Sequence, residues 1–283
     1  MLTTKIEPMR KFFLLPPIIL AALSLLLAWP SLGLRADEPS LKLCFLDVGQ
    51  GDAALIRTPY GQNILIDGGP DKRILEELAA CLPWFERRVD LVVLTHQHDD
   101  HLGGLLEVFD RYQIDNVIYS SASGSPALAD AWQRALISEG AETEKPSLRE
   151  RVVFGPSCEL KIINPAYFYS GKDLNEYSLV SILDCGRRIV FMGDAGKPVE
   201  DWLLKNEPNL SADGLKVGHH GSLSASGEDF LKAVGPTWAV ISSGKGNRHG
   251  LPKAEVVRRL ERVGASVRRT DEEGTVEVEW RGP

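Results

Sequence analysis

Cysteine is scarce in this chain: four residues in 283, at positions 44, 81, 158 and 185, with no close pair of the C-x-x-C kind. That spacing argues against a metal site built on paired thiolates. Low-complexity tracts and internal repeats are absent, and no linker-like stretch divides residues 41–283, so one domain is expected there. A chain of this length buries a real core without needing its cysteines to hold it together. A surplus of positive charge is missing too. The net charge is −7, and −10 once residues 1–36, with four cations and one anion, are set aside. An acidic whole argues against general nucleic-acid binding. Histidine is also sparse, at six, and none falls between residues 102 and 218.

What is present begins with the N-terminus. Lys5, Arg10 and Lys11 precede a 17-residue uncharged run, residues 12–28. A basic start, an apolar middle and the small residues Ser31 and Gly33 read as a secretory signal with a small-x-small cleavage site. The alternative is an uncleaved signal anchor that attaches the chain to a membrane, although Pro16 and Pro17 disfavour a straight spanning helix. Either assigns residues 1–36 to export and residues 37–283 to a domain outside the cytoplasm, periplasmic, secreted or membrane-anchored. In that setting the four cysteines permit disulfides, in three pairings. Cys44, inside "LKLCFLDV", also fits as a small core residue.

Short strand-like runs open the domain at 41–48, 52–59 and 62–69, separated by "GQG" and "PYG" turns. Helical spacing follows over 71–82, with Asp71 as a cap, and then the continuous apolar strand 89–95. A helix from His101, a strand over 116–120 and a helix over 126–138 come next, then strands near 151–154 and 159–163. Residues 177–194 read as a hairpin turning at Asp-Cys-Gly-Arg. Helices over 199–206, 227–234 and 252–264 alternate with strands at 213–218, 237–242, 266–269 and 275–280. Two similar halves of strand meander and strand–helix units predict a four-layer α/β sandwich, two mixed sheets face to face with helices outside.

The six histidines occupy three loops: His96, His98 and His101 in "THQHDDH", His219 and His220 in "KVGHHGS", and His249 in "NRHGLP". Confinement to glycine-rich or strand-end loops reverses the usual expectation that a lone histidine is structural. His96 and His98 flank one residue, so an extended loop points both to one side. Asp100 and His101 follow where the chain turns into a helix. Such a loop offers two imidazoles to one metal and a carboxylate plus an imidazole to a second. Nitrogen and oxygen donors without thiolate suit Zn2+, Mn2+ or Fe. Gly103 and Gly104 let the first helical turn pass close by. Asp67 and Asp194, beside glycines, read equally as turn formers. From Lys245 to Arg269 eight cations face two glutamates. This stretch suits phosphate contacts, or it is a solvated helix face with a Glu255–Arg259 pair.

"THQHDDH" matches the T-H-x-H-x-D-H signature of the metallo-β-lactamase fold superfamily. "FLDVGQGDAALIRTPYGQNILIDGG", "NEYSLV", "FMGDAG" and "LKVGHHGS" resemble, in the same order, the extracytoplasmic hydrolase-like domain of the ComEC family of DNA-uptake competence proteins. The likeness covers residues 41–283 without the multi-span channel of that family. It implies a four-layer sandwich and two divalent metal ions, Zn2+ or Mn2+. His96 and His98 would hold the first and Asp100 and His101 the second, with Asp194 bridging and His219 completing the second. His220 would be a ligand or proton donor, and Asp67 would orient the histidine loop. Two departures stand out. A further histidine expected between the loop and the bridging aspartate is absent. Asn175, and more weakly Ser178, stand in its place, holding metal or substrate. In "NRHGLP", His249 and Leu251 replace the family's Tyr and His.

A metal-dependent phosphodiesterase acting on DNA or another phosphodiester is therefore expected, with Asp100, Asn175, His220 and His249 in catalytic roles and His220, His249 or Lys245 as proton source. The alternatives are a lactone, ester or β-lactam hydrolase on the same fold, and a non-catalytic binding protein of the envelope or of DNA uptake. No protein partner is indicated.

Overall fold

The structure, a computed structural model, describes residues 40–281. The expected signal or anchor, residues 1–36, and its boundary lie outside them. Among the described residues no helix is long and apolar enough to cross a membrane.

The described residues form two seven-stranded sheets. The first holds β1 (Ser40–Phe45), β2 (Ala54–Arg57), β3 (Asn63–Ile66), β4 (Arg88–Leu94), β5 (Gln113–Tyr119) and β6 (Glu142–Glu144), with β14 (Val276–Arg281) beside β1. The second runs in reverse chain order from β13 (Ser266–Arg269) through β12 (Trp238–Ile241), β11 (Gly214–Lys216), β10 (Arg188–Phe191) and β9 (Val180–Asp184) to β8 (Cys158–Ile163) and β7 (Arg149–Gly155). Both mix parallel and antiparallel pairs.

Strand alternation builds the layers. In β1, Leu41, Leu43 and Phe45 face the second sheet, while Cys44 and the following Leu46 face outward. That outer face is covered by Ile74 and Leu78 of α1 (Arg73–Cys81), Leu102 and Leu105 of α2 (Asp99–Phe109), and Trp132 of α3 (Pro126–Glu139). Across the molecule, Val199 and Leu203 of α4 (Lys197–Asn206), Phe230 of α5 (Glu228–Val234), and Val256 and Leu260 of α6 (Ala254–Arg262) cover the second sheet. Helix, sheet, sheet and helix give the four-layer sandwich expected from the sequence.

Local chemistry explains the boundaries. The Arg73 N–H donates to the Asp71 carboxylate at 2.9 Å where α1 starts. The hydroxyl of Ser125 accepts from the Leu128 N–H at the start of α3, and Gly140 ends that helix at φ 71°. β6 and the one-turn α7 (Thr270–Glu273) were not anticipated. β6 reads Glu-Thr-Glu, fully exposed, and carries no apolar alternation to betray it. One disulfide is present, Cys158–Cys185, tying the start of β8 to the β9–β10 turn. Cys44 and Cys81 are buried free thiols.

Candidate metal centre

The site lies where strand ends from both sheets meet. β4 ends at Leu94, and residues 95–98 carry the chain into α2. The one-residue spacing brings His96 Nε2 to 2.9 Å from His98 Nδ1, as expected. His101, one helical turn on, packs its ring 4.2 Å from that of His96. Gly103 and Gly104 do not line the site; a Cβ there would lie 2.2 Å from the Pro70 carbonyl oxygen and 2.0 Å from that of Gly68. They let α2 pass against the 68–70 loop, which carries Asp67 into place.

Asp67 sits in the left-handed region, at φ 58°. Its carboxylate accepts from the Thr95 N–H at 2.8 Å and the Thr95 hydroxyl at 2.7 Å, and it holds His101 Nδ1 at 2.8 Å. The Thr95 hydroxyl, its proton given to Asp67, lies 3.1 Å from His96 Nδ1, and the Ser178 hydroxyl 3.2 Å. These contacts put the ring protons of His96 and His101 on Nδ1 and turn Nε2 of each inward. Asp67 thus orients the histidine loop.

Asp194 follows β10, and its two oxygens divide the site. Oδ1 lies 3.4 Å from His101 Nε2 and 3.6 Å from His220 Nε2. Oδ2 lies 4.0 Å from His96 Nε2 and 3.9 Å from His219 Nε2. His219 and His220 both adopt left-handed backbone, at φ 48° and 50°. Their rings consequently diverge, 71° apart in plane, and face different oxygens of Asp194.

This corrects the placement of His219. His220 is the one that reaches Asp100 Oδ2, at 3.3 Å, and stands on the Asp100–His101 side. His219 stands on the His96 side, 3.4 Å from Asn175 Nδ2, with its Nδ1 2.9 Å from the Ser224 hydroxyl. It occupies the place for which Asn175 and Ser178 were the sequence candidates. Asn175 touches His219, and Ser178 holds His96 and accepts from the Asp194 N–H at 3.1 Å.

The sequence reading missed Asp52 and Lys216. Both are buried, and Lys216 Nζ donates to Asp52 Oδ2 at 2.6 Å. Asp52 Oδ1 lies 3.1 Å from His220 Nδ1, which is also 3.0 Å from the Ser242 carbonyl. A hint was available: a lysine in a strand, three residues before a histidine pair, and an aspartate in "GQGD" at a strand start.

Electrostatics suit a cation. Burial alone would depress His101 and His220. The carboxylates outweigh it: Asp194 and Asp67 raise His101 well above its usual range, and Asp194 and Asp52 raise His220 to about 10. Burial and the neighbouring His101 charge push His96 down. Against its own burial, Asp194 is held well below the usual carboxylate range by His220 and His101. Asp194 Oδ1, His101 Nε2 and His220 Nε2 are buried and lack any hydrogen-bond partner. Buried lone pairs with no donor are costly unless a cation takes them. His96, His101 and Asp194 bring ligand atoms within 4.8 Å of one another, and so do Asp100, His101 and His220. Both sets share His101, and the residues fit a divalent metal centre.

A cleft of about 710 Å3 opens beside the site, lined among others by His98, Asp100, Arg73, Arg248 and His249. His249 therefore borders the site, whereas His220 is buried, with its Nδ1 held by the Ser242 carbonyl, and does not line the cleft. Of the two readings of the basic stretch 245–269, the arginines from 258 onward follow the solvated helix face with its Glu255–Arg259 pair. Arg258, Arg259 and Arg262 converge on Glu255; Arg268 pairs with Glu273, and Arg269 with Asp271 and Glu272. A second cleft, about 530 Å3 around Arg88, Asp115 and the edges of β6 and β7, holds no histidine.

Comparison with known proteins agrees with this geometry. Residues 46–245 match the model of the metallo-beta-lactamase superfamily. ComE operon protein 3 of Bacillus subtilis is 26% identical over 258 residues, 83% of this chain and 32% of that protein. Competence protein ComA of Neisseria gonorrhoeae is 30% identical over 245 residues, 82% of this chain and 31% of that protein. The chain thus spans about a third of the length of these curated relatives. The metallo-beta-lactamase fold protein YhfI of Bacillus subtilis superposes with a TM-score of 0.58 at 14% identity, over 86% of this chain and all of that one. The chain belongs to the metallo-beta-lactamase superfamily, whose members are generally metal-dependent hydrolases.

Proposed function

We propose that the chain is a metal-dependent phosphodiesterase, acting outside the cytoplasm on DNA or a smaller phosphodiester. The observation that carries the metal part is Asp194, whose two oxygens face two separate sets of imidazole donors. His96, His98 and His219 would hold one divalent cation, and Asp100, His101 and His220 the other, with Asp194 between them. Zn2+ or Mn2+ suits these donors, and a pair of such ions lowers the pKa of water towards ~7 and neutralises charge on a phosphoryl oxygen.

The chain's own residues supply the rest. Arg73 and Arg248 line the cleft and match a phosphodiester's negative oxygens. Arg248 Nε donates to His249 Nε2 at 3.2 Å, which leaves His249 Nδ1 to carry the ring proton. Exposed on the cleft rim, His249 can pass that proton to the leaving oxygen. His219, on the Asn175 side, supplies the third imidazole that a lactone or lactam hydrolase also uses, so the cleft cations are what favour a phosphodiester. The Cys158–Cys185 disulfide supports an oxidising, extracytoplasmic setting. The competence names of the relatives support DNA as the substrate.

Metal content and a substrate panel test this together. Purified protein is expected to carry two divalent ions per chain and to hydrolyse single-stranded DNA and a chromogenic phosphodiester with Mn2+ or Zn2+. Turnover of a lactone or lactam with neither phosphodiester cleaved would overturn it. Metal-free protein with full biological function after Asp194→Ala would favour a binding role instead.

A further inference from the structure

We infer that the end of the molecule opposite the metal centre is a lipid-docking surface, formed around Trp84 and Phe85. These two side chains are 84% and 67% exposed, and they stack edge to face with centroids 5.7 Å apart. They form the corner of a tight turn closed by the Glu86 N–H donating to the Pro83 carbonyl at 2.8 Å. Nothing in the fold needs them there. An aromatic pair held in water by a defined turn marks an interaction surface.

Strand register places this turn. Leu43, Ile56, Ile64 and Leu91 stand in one row across β1 to β4. β1 and β4 run in the same direction, so Ser40 and Arg88 are level, three residues before that row. At roughly 4.8 Å per strand they are about 14 Å apart. Trp84 and Phe85 immediately precede β4, and the metal centre follows its other end. α3 joins β5 to the parallel β6, so Ile137, in its last turn and 80% exposed, lies at the Trp84 end as well. Exposed Tyr60, on the β2–β3 turn, shares that end. Arg87 and Arg111 there are exposed, and neither has an acidic partner among the described residues.

The occupant follows from the chain that enters here. The 39 residues before Ser40 contain the uncharged run 12–28, and eleven residues join that run to Ser40. Eleven residues span at most about 40 Å. On the uncleaved-anchor reading, on which this inference rests, such a run would hold Ser40, at this end of the sandwich, within that distance of the lipid surface. Tryptophan and tyrosine beside arginine is the composition that settles at headgroup level, and unpaired arginines favour anionic lipid. Docked this way, the domain turns its metal cleft away from the membrane.

The test uses the full chain with vesicles of phosphatidylethanolamine and phosphatidylglycerol. An environment-sensitive fluorophore is placed at Ile137→Cys or, as control, at Tyr167→Cys, which is exposed beyond the other end of the sheets. Labelling is selective because Cys44 and Cys81 are buried and Cys158 is bonded to Cys185. The expected result is a blue shift and strong quenching by nitroxide-labelled lipid at 137, with neither at 167. Adding Trp84→Ala and Phe85→Ala, two exposed positions, should abolish most of the quenching at 137. Equal solvent exposure at the two positions overturns the inference, as does quenching that survives the double variant. Shielding at 137 without lipid quenching overturns it in favour of a second copy of the chain.

Discussion

The two halves of the candidate centre are built from opposite materials. Behind Asp100, His101 and His220 stand charges: Asp67 on His101, and the buried Asp52–Lys216 pair beside His220. Behind His96, His98 and His219 stand neutral groups: the hydroxyls of Thr95, Ser178 and Ser224 and the amide of Asn175. Carboxylates behind an imidazole raise its basicity and its hold on a cation, and hydroxyls do so less. Burial cuts across this division, since His96, His101 and His220 are sealed while His98, His219 and Asp100 are partly open. By the charges behind it, the second half should bind tightly and exchange slowly, and the first should fill last and empty first.

The change that breaks both halves at once is Asp194→Ala. It removes the one carboxylate that faces all of His96, His101, His219 and His220. Loss of several kcal/mol of charge stabilisation corresponds to a fall of about 10³-fold in turnover. Metal analysis should drop from two ions to fewer than one. Retention of two ions would mean the halves do not share Asp194.

Lys216→Met strikes only the charged half. It strands Asp52 in the core with His220 as its remaining partner. Breaking a buried ion pair costs about 3 kcal/mol or more, roughly 6–12 °C in Tm for a domain of this size. Thermal melts of metal-free protein check this, and Lys216→Met with Asp52→Leu should recover part of the loss. An unchanged Tm would show that His220 alone satisfies Asp52.

Much of this was legible in the sequence, and the gaps have physical reasons. "THQHDDH" declared its ligands because one-residue spacing on an extended loop fixes where side chains point. The sandwich was legible from the alternation of β1 and the continuous apolar β4. His219 and His220 could not be told apart, because both residues take left-handed backbone and their rings diverge; sequence spacing carries no sign of that. Asp52 and Lys216 were missed because they lie 164 positions apart and meet only where β11 packs against the loop before β2. The pairing of residues 258–269 was legible in part: Glu255–Arg259 follows from i,i+4 spacing, whereas the partners of Arg268 and Arg269 are brought up by a turn that carries no such signal. β6 has no hydrophobic signal at all.

Acid and base should separate the halves further. In the metal-free chain His220 titrates near 10, above the ordinary ~6.5 of a free imidazole. A raised histidine adds stability that is complete below about 6.5 and is lost as pH rises through about 10. Metal-free protein should lose Tm steadily over that window. Metal-loaded protein should not, because the cation then occupies Nε2 in place of the proton. The same proton competes with the cation, so affinity in the charged half should fall as pH falls. Parallel Tm–pH curves with and without metal would remove His220 from the ligand set.

The smallest expected effect probes the neutral half alone. Asn175 Nδ2 lies 3.4 Å from His219 Nε2, and its Oδ1 is buried without a partner. Asn175→Ala removes the amide but leaves His219 held at Nδ1 by Ser224. If His219 is the third imidazole of the first half, the variant should retain one tightly held ion. Its second equivalent should bind somewhat more tightly, because the amide N–H and a cation compete for the same Nε2 lone pair. If the amide instead contacts substrate, metal titration stays unchanged and KM rises with kcat intact. His219→Ala sharpens the distinction. It should abolish the weak equivalent altogether while the tight one survives, whereas His220→Ala should cost the tight ion first. A reversed order, with His219→Ala removing the tight ion, would return His219 to the side where the sequence alone had placed it.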